Sequence, residues 1–280
     1  MAEWYEEAYH PHWRQRFEVA RYVYRGRTEC QEALIFESPL FGRVLVLDGI
    51  VQTSERDEFI YHEMITHVAL MAHGAARDVL IVGGGDGGTL EEVLKHRGVA
   101  RATMVELDPG VVELARRHLP DISRGAFDDP RTELIFGDGV QFVADTAQRF
   151  DLIIVDSTDP FAPGEALFTE SFYANCRARL RPGGIVVAQC GNPFMERERV
   201  RACLARLGNL FRDASFILTS VPGYLGGPFL FAWAADDPDQ RRLSLAELAA
   251  RPLPDGLRCY TPAVHVAAFV HPPWLSAPAD

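Results

Sequence analysis

The amino-acid sequence predicts an α/β fold, a mostly parallel sheet ending in an antiparallel hairpin and preceded by a small antiparallel β region. Three observations carry this. From Val79 onward short apolar runs alternate with helical patterns, which is how a parallel sheet covered by helices on both faces reads. The first run passes into a glycine-rich turn and a helix, and the next ends near an acid, the pattern of a nucleoside-binding βαβ unit. The last two runs, Phe216–Ser220 and Phe229–Ala234, are close enough in sequence to pair antiparallel.

Residues 1–56 are expected to form an N-terminal β-strand domain. Phe17–Ala20, Ala33–Phe36 and Val44–Leu47 are short strand-like runs, punctuated by Phe41-Gly42 and Asp48-Gly49. Residues 57–280 form the second domain. It opens with a helix over Asp57–His73, in which Phe59, Ile60, Met64, Ile65 and Val68 repeat on one face. Strands follow at Val79–Val82, Ala102–Leu107, Thr132–Phe136, Phe150–Val155 and Ile185–Gln189. Helices fall at Thr89–Lys95, Pro109–His118, Gly139–Ala147, Thr169–Leu180 and Met195–Phe211. Ala214–Ala235 carries no charge and is long enough to raise a membrane question. Pro222, Gly223, Gly226, Gly227 and Pro228 interrupt it, so it reads as two buried strands around a turn. The layout is that of the Rossmann-like S-adenosylmethionine-dependent methyltransferase fold. Dinucleotide dehydrogenases usually continue in parallel instead.

Composition narrows the partners. A net charge of −11 argues against nucleic acid and suits a cationic ligand. Cys30, Cys176, Cys190, Cys203 and Cys259 are scattered with no C-x-x-C pair, which indicates neither a zinc knuckle nor a disulfide framework. The N-terminus is charged and aromatic, without a signal-peptide core, so the cytoplasm is the expected location. His62 and His67 on the first helix invite a zinc reading. They lie five positions apart, however, and diverge by roughly 140° around a helix, so no metal site is expected.

The chemistry concentrates in Val79–Glu106. Gly83-Gly84-Gly85-Asp86-Gly87-Gly88 lets a ligand lie against bare backbone. Glu106, twenty positions past Asp86, is placed to accept both ribose hydroxyls. In such sheets ligands lie beyond the carboxyl ends of the strands. Here Asp86, Glu106, Asp138 and Asp156 follow or end four successive strands, and Asp159 comes soon after. Asp138 also reads as a helix N-cap. Clustered carboxylates need cations to neutralise them. Ordinary S-adenosylmethionine brings its own carboxylate toward Asp86, whereas the decarboxylated form brings only an ammonium. Two charges about 4 Å apart at an effective dielectric near 20 interact by roughly 4 kcal/mol, enough to choose between them.

These residues resemble the spermidine synthases, the polyamine aminopropyltransferases, over nearly the whole chain. The motifs are Gly49-Ile50-Val51-Gln52-Thr53 running into Asp57-Glu58-Phe59-Ile60-Tyr61-His62-Glu63-Met64, then Val79–Gly88, Asp156-Ser157-Thr158-Asp159-Pro160, and Tyr224 in Pro222-Gly223-Tyr224. The resemblance implies that Gln31 and Asp138-Gly139 hold the methylthioadenosine part, with Asp138 on the adenine amino group. It implies Glu106 on the ribose and Asp86 on the aminopropyl ammonium. His62, Asp156, Ser157, Thr158 and Asp159 would line the amine pocket, walled by Tyr61 and Tyr224. Pro163 would lie in a lid, Asp159–Leu167, over the adenine, and Asp156 would accept the proton. Two departures bear on the acceptor. Gly223 stands where threonine is more usual, and is expected to loosen the loop holding Tyr224. Phe161-Ala162 replaces a smaller pair and is expected to reshape the pocket.

The implied reaction is a one-step displacement by an amine on the carbon beside the sulfonium, with methylthioadenosine leaving. It implies no cofactor and no metal; decarboxylated S-adenosylmethionine is a co-substrate. The expected partners are that co-substrate and a small diamine, putrescine by default. The edges of the β region suggest strand pairing between subunits, and the resemblance implies a homodimer or homotetramer. A small-molecule methyltransferase and a catalytically silent polyamine-binding protein are the rival readings.

Overall fold

The computed structural model describes residues 2–157 and 166–276. Its N-terminal region holds six strands. β1 (Glu3–His10) and β2 (Trp13–Val19) form a separate two-stranded hairpin. β3 (Arg21–Arg27), β4 (Glu32–Ser38), β5 (Gly42–Leu47) and β6 (Ile50–Ser54) form an antiparallel meander. The apolar runs of the sequence mark β2, β4 and β5. β1 and β3 escape because charged residues dominate them and few of their side chains are buried. The meander is apolar on both faces. Phe36, Val44 and Val46 meet Phe17 and Val19 of the hairpin, while Ala33, Ile35, Leu45 and Leu47 meet Val111 and Leu114 beyond.

The second region is built on a seven-stranded sheet. β7 (Asp78–Gly83), β8 (Arg101–Glu106), β9 (Thr132–Phe136), β10 (Phe150–Asp156) and β11 (Leu180–Gly191) run parallel. β12 (Asp213–Ser220) and β13 (Pro228–Ala235) close one edge antiparallel. The order is β12-β13-β11-β10-β7-β8-β9, so the expected parallel sheet with its antiparallel hairpin is present. The helices are α1 (Glu58–His73), α2 (Gly88–Leu94), α3 (Pro109–His118), the short α4 (Pro120–Ser123), α5 (Gly139–Asp145), α6 (Glu170–Arg179) and α7 (Arg197–Leu210). Each lies within a few residues of the sequence-predicted helix, apart from α4, which was not expected. The sequence also does not announce α8 (Leu245–Ala249), α9 (Pro262–Ala268) and α10 (Pro273–Ser276), short helices in a proline-rich tail.

α1 differs from its expected amphipathic character. Every residue from Tyr61 to Ala72 is buried, while Phe59 and Ile60, assigned to the core face, stay partly exposed. The helix is enclosed by α2, β10, β11 and β12 together with the tail, so it has no solvent face. Phe59 instead lies under the guanidinium of Arg258, 3.6 Å from the ring centroid. Glu63, fully buried, accepts from the backbone N–H groups of Arg258, Cys259 and Tyr260 at 2.7, 2.8 and 2.7 Å. That leaves the charge hydrogen-bonded rather than stranded. Among the described residues no helix is long and apolar enough to cross a membrane.

Candidate active site

The site is set by the turn after β7. β7 and β10 are parallel neighbours, with Gly83 paired to Asp156. Gly83 has φ +85°, and a Cβ there would be driven into the Asp156 carbonyl oxygen. Gly84 N–H donates to that same oxygen at 2.7 Å, and Gly87 N–H to the Gly84 carbonyl at 2.8 Å. Gly88 lies against the His62 ring, which leaves no room for a side chain. The turn is thus pressed onto the end of β10 and onto α1, with only glycine fitting at the two contact points.

This packing gathers the strand-end acids around one cavity. Asp86, Glu106, Asp138 with Gly139, and Asp156 with Ser157 line it from the parallel strands. Tyr61 and His62 enter from α1, Gln31 from the N-terminal meander and Tyr224 from the loop before β13. Thr158, Asp159, Pro163 and most of the Asp159–Leu167 segment lie outside the described residues, as do Phe161 and Ala162.

Asp156 is half-buried with two donors on it: Tyr61 hydroxyl to Oδ1 at 2.7 Å and Thr89 hydroxyl to Oδ2 at 2.6 Å. Burial and the charge of Asp86 raise its pKa; His62 and the two hydroxyls oppose the rise. Burial and the Asp156 charge push the Tyr61 phenol well above its ordinary range, so it remains a donor. His62 is held on both sides, Nδ1 2.8 Å from Glu58 and Nε2 3.5 Å from Asp86. Burial disfavours its cation, but Asp86 and Glu58 outweigh that and hold the imidazole well above its usual pKa. Burial acts against ionisation of Asp86 too, and the His62 charge and hydrogen bond overcome it, leaving its pKa lowered. Three carboxylates around one imidazolium leave an excess of negative charge. His62 and His67, the pair considered for zinc, take separate partners: His67 meets Glu92 and His96 at 2.9 and 2.8 Å.

Glu106 accepts from the Asp108 N–H at 2.8 Å. Burial raises its pKa to about 7, with the Asp108 N–H opposing and the Asp108 charge adding to the rise. Asp138 accepts from Val140 N–H at 2.7 Å as the cap of α5, so its capping role and its place at the cavity coexist. Gln31 reaches Asp108, Nε2 to Oδ2, at 3.2 Å. Asp108 itself went unread in the sequence, although Asp108-Pro109 is an N-cap pair whose carboxylate accepts from Gly110 N–H at 2.9 Å. Glu7, Tyr9 and Glu196 also line the cavity. Tyr9 donates to Glu196 at 2.7 Å, joining the hairpin to the start of α7. No local sequence signal marks that pair, which is 187 positions apart.

The loop expected to be loosened by Gly223 is instead tied down. Gly223 N–H donates to Asp57 at 2.6 Å, its carbonyl accepts from Gln15 at 2.8 Å, and the Tyr224 hydroxyl donates to the Gln52 carbonyl at 2.7 Å. A Cβ on Gly223 would come within 2.8 Å of the Asp57 carboxylate, so glycine permits the close approach.

Comparison with known proteins shows the family. Residues 58–243 match the spermine/spermidine synthase domain, and residues 3–55 the spermidine synthase tetramerisation domain. The polyamine aminopropyltransferase of Serratia proteamaculans is 51% identical over 97% of this chain and 95% of its own length. Polyamine aminopropyltransferase 1 of Pseudomonas aeruginosa is 50% identical over 97% and 96%. A crystal structure of a spermidine synthase in complex with the transition-state analogue AdoDATO superposes with a TM-score of 0.93 at 37% identity, over 98% of this chain and 94% of that one. The spermidine synthase of Thermotoga maritima gives 0.90 at 36% identity, over 98% and 93%. With a relative sharing half its residues end to end and a family match across both regions, the chain belongs to the spermine/spermidine synthase family.

Proposed function

We propose that this chain is a polyamine aminopropyltransferase of the spermidine synthase type. It transfers the aminopropyl group of decarboxylated S-adenosylmethionine to a diamine, putrescine first, giving spermidine and 5′-methylthioadenosine. The observation that carries the reading is Asp86 and Asp156 lining one cavity beside the glycine turn, with Glu106 farther along it. An excess of negative charge at the turn suits an adenosine sulfonium whose arm ends in an ammonium and disfavours one ending in a carboxylate. The names of the relatives and the analogue bound to the superposed structure support it.

In this reading Gln31, Asp138 and Gly139 hold the methylthioadenosine part and Glu106 the ribose, while Asp86 takes the aminopropyl ammonium. Tyr61, His62, Asp156, Ser157 and Tyr224 form the described part of the amine pocket; Thr158 and Asp159 belong to the same proposal, and Pro163 to the adenine side. The amine lone pair attacks the methylene beside the sulfonium. The carbon–sulfur bond breaks with its electrons going to sulfur, and the new ammonium releases one proton to Asp156. A sulfonium is its own leaving group, so the displacement calls for no cofactor. The protein's task is to align two mutually repelling cations, and fixed carboxylates do that.

The match of residues 3–55 to a tetramerisation domain supports a homodimer or homotetramer, to be read by light scattering. All five cysteines are free, which suits the cytoplasm. The deciding experiment incubates the protein with putrescine and either ordinary or decarboxylated S-adenosylmethionine. Methylthioadenosine and spermidine should form only with the decarboxylated donor. Consumption of the ordinary donor, with a methylated product, would replace this reading by a methyltransferase.

A further inference from the structure

Asp156 is gripped from two helices. Tyr61, on α1, donates to Oδ1 at 2.7 Å and lines the cavity. Thr89, the second residue of α2, donates to Oδ2 at 2.6 Å and is fully buried behind the carboxylate, outside the cavity lining. Thr89 lies in the first turn of α2, with no helical turn before it to take its hydroxyl. Here the hydroxyl bridges to the sheet instead. The last torsion of an aspartate is soft and roughly two-fold, so covalent geometry does not set the carboxylate plane. One donor leaves a pivot; two donors on different oxygens stop it. Each oxygen still has acceptor capacity left for an incoming amine.

We propose that Thr89 is a positioning residue for the reaction, fixing the carboxylate of Asp156 from behind so that its free lone pairs stay aimed into the cavity. The proposal rests on the proposed function for its consequence, but the restraint itself does not. Thr89 touches neither substrate; it acts through Asp156. It also favours the ionised form, because a donor to a carboxylate stabilises the charge. The other groups facing Asp156 are Tyr61 and His62 from α1, with Glu58 behind His62; Asp86 from the glycine turn; and Glu106 from the end of β8. Tyr224 stands beyond Tyr61. Of these, Asp86 and Glu106 repel a second negative charge, so the Thr89 hydroxyl works with His62 and Tyr61 against them.

The test compares wild type, Thr89→Val, which keeps the shape and loses the hydroxyl, and Thr89→Ser, which restores it. Thr89→Val should lower kcat about tenfold, an ordinary effect for a hydrogen bond to a charged group. The KM for decarboxylated S-adenosylmethionine should stay within about twofold, and the acid limb of kcat/KM should move up by about one pH unit. Thr89→Ser should recover all three. A second readout needs no turnover: carbon-13 NMR titration of the Asp156 carboxyl in substrate-free protein, identified by its loss in Asp156→Asn, should move upward in Thr89→Val and return in Thr89→Ser. Failure of aminopropyl transfer in the wild type would sink the proposed function while this titration still judged Thr89. An unmoved titration, or an unmoved acid limb with unchanged kcat, would overturn the proposal. So would a loss confined to methylthioadenosine affinity, which would make Thr89 a mere support for the glycine turn.

Discussion

His62 and Asp86 face each other with Nε2 and Oδ2 3.5 Å apart, while Glu58 closes on the other ring nitrogen at 2.8 Å. The ring is buried, and the two carboxylates raise its pKa despite that burial. A raised folded pKa contributes stability that is complete below the unfolded value, near 6.5, and is lost as pH climbs through the folded value. The melting temperature of the wild type should therefore decline from neutrality upward. His62→Gln should melt lower at pH 6 and lose this decline. Equal melting curves across pH for the two proteins would mean the ring is neutral in the folded state.

Asp156→Asn keeps the size of the side chain but removes its charge, its capacity to accept a proton and one of the two oxygens on which the Tyr61 and Thr89 hydroxyls donate. Turnover should fall by about a hundredfold or more. Methylthioadenosine affinity by calorimetry should change by less than about threefold. In the wild type, activity should rise toward alkaline pH as neutral amine becomes available to attack. A flat profile above neutrality in a chemistry-limited assay would argue that amine deprotonation is not part of the observed rate.

Glu106, with a pKa of about 7 in the free protein, is only partly ionised near neutrality. Ribose hydroxyls donate, and a carboxylate accepts two such bonds where a carboxylic acid accepts fewer. Methylthioadenosine should bind more tightly as pH rises from 6 to 8, by up to about tenfold, and binding should take up the slope of one proton released. Glu106→Gln should bind more weakly and flatten that dependence. Isothermal titration in two buffers of different ionisation enthalpy reads both.

Gly83→Ala combines a left-handed backbone with a clash against the Asp156 carbonyl oxygen. The two together should cost about 2–4 kcal/mol in urea unfolding, if the variant accumulates folded at all. Gly125→Ala, at φ +80° but in open space, is the control and should cost about 1 kcal/mol. Similar losses for both would show that backbone conformation, not contact with β10, dominates at Gly83.

Most of the sheet is readable because its strands are buried on both sides. Val79–Val82 and Leu152–Val155 are unbroken apolar runs, and such runs bounded by turns leave few alternatives. The acids at the strand ends are readable because the fold places the exits of the parallel strands β7 to β11 on one rim. The hairpin of β1 and β2 is not readable in this way. Its burial alternates, but Glu7 and Gln15 stand among the inward residues while Trp4 and Trp13 face outward, so the alternation does not show as apolar against polar. Nor does any local pattern bring Gln31 to Asp108 or Tyr9 to Glu196. Those pairings exist only after the N-terminal region has docked on the sheet. α1 misleads for the opposite reason: burial on every side erases the contrast from which a helix face is inferred.

Glu63 receives its three backbone donors from residues 258–260, and it sits on the helix that presents Tyr61 and His62. A nascent chain therefore emerges with this carboxylate in place almost two hundred residues before its donors exist. Until those donors arrive the carboxylate is hydrated, and burying it without them would strip that water with nothing to replace it. Any trimming that disturbs residues 258–260 would therefore be felt at the amine pocket, through the helix that carries Tyr61 and His62.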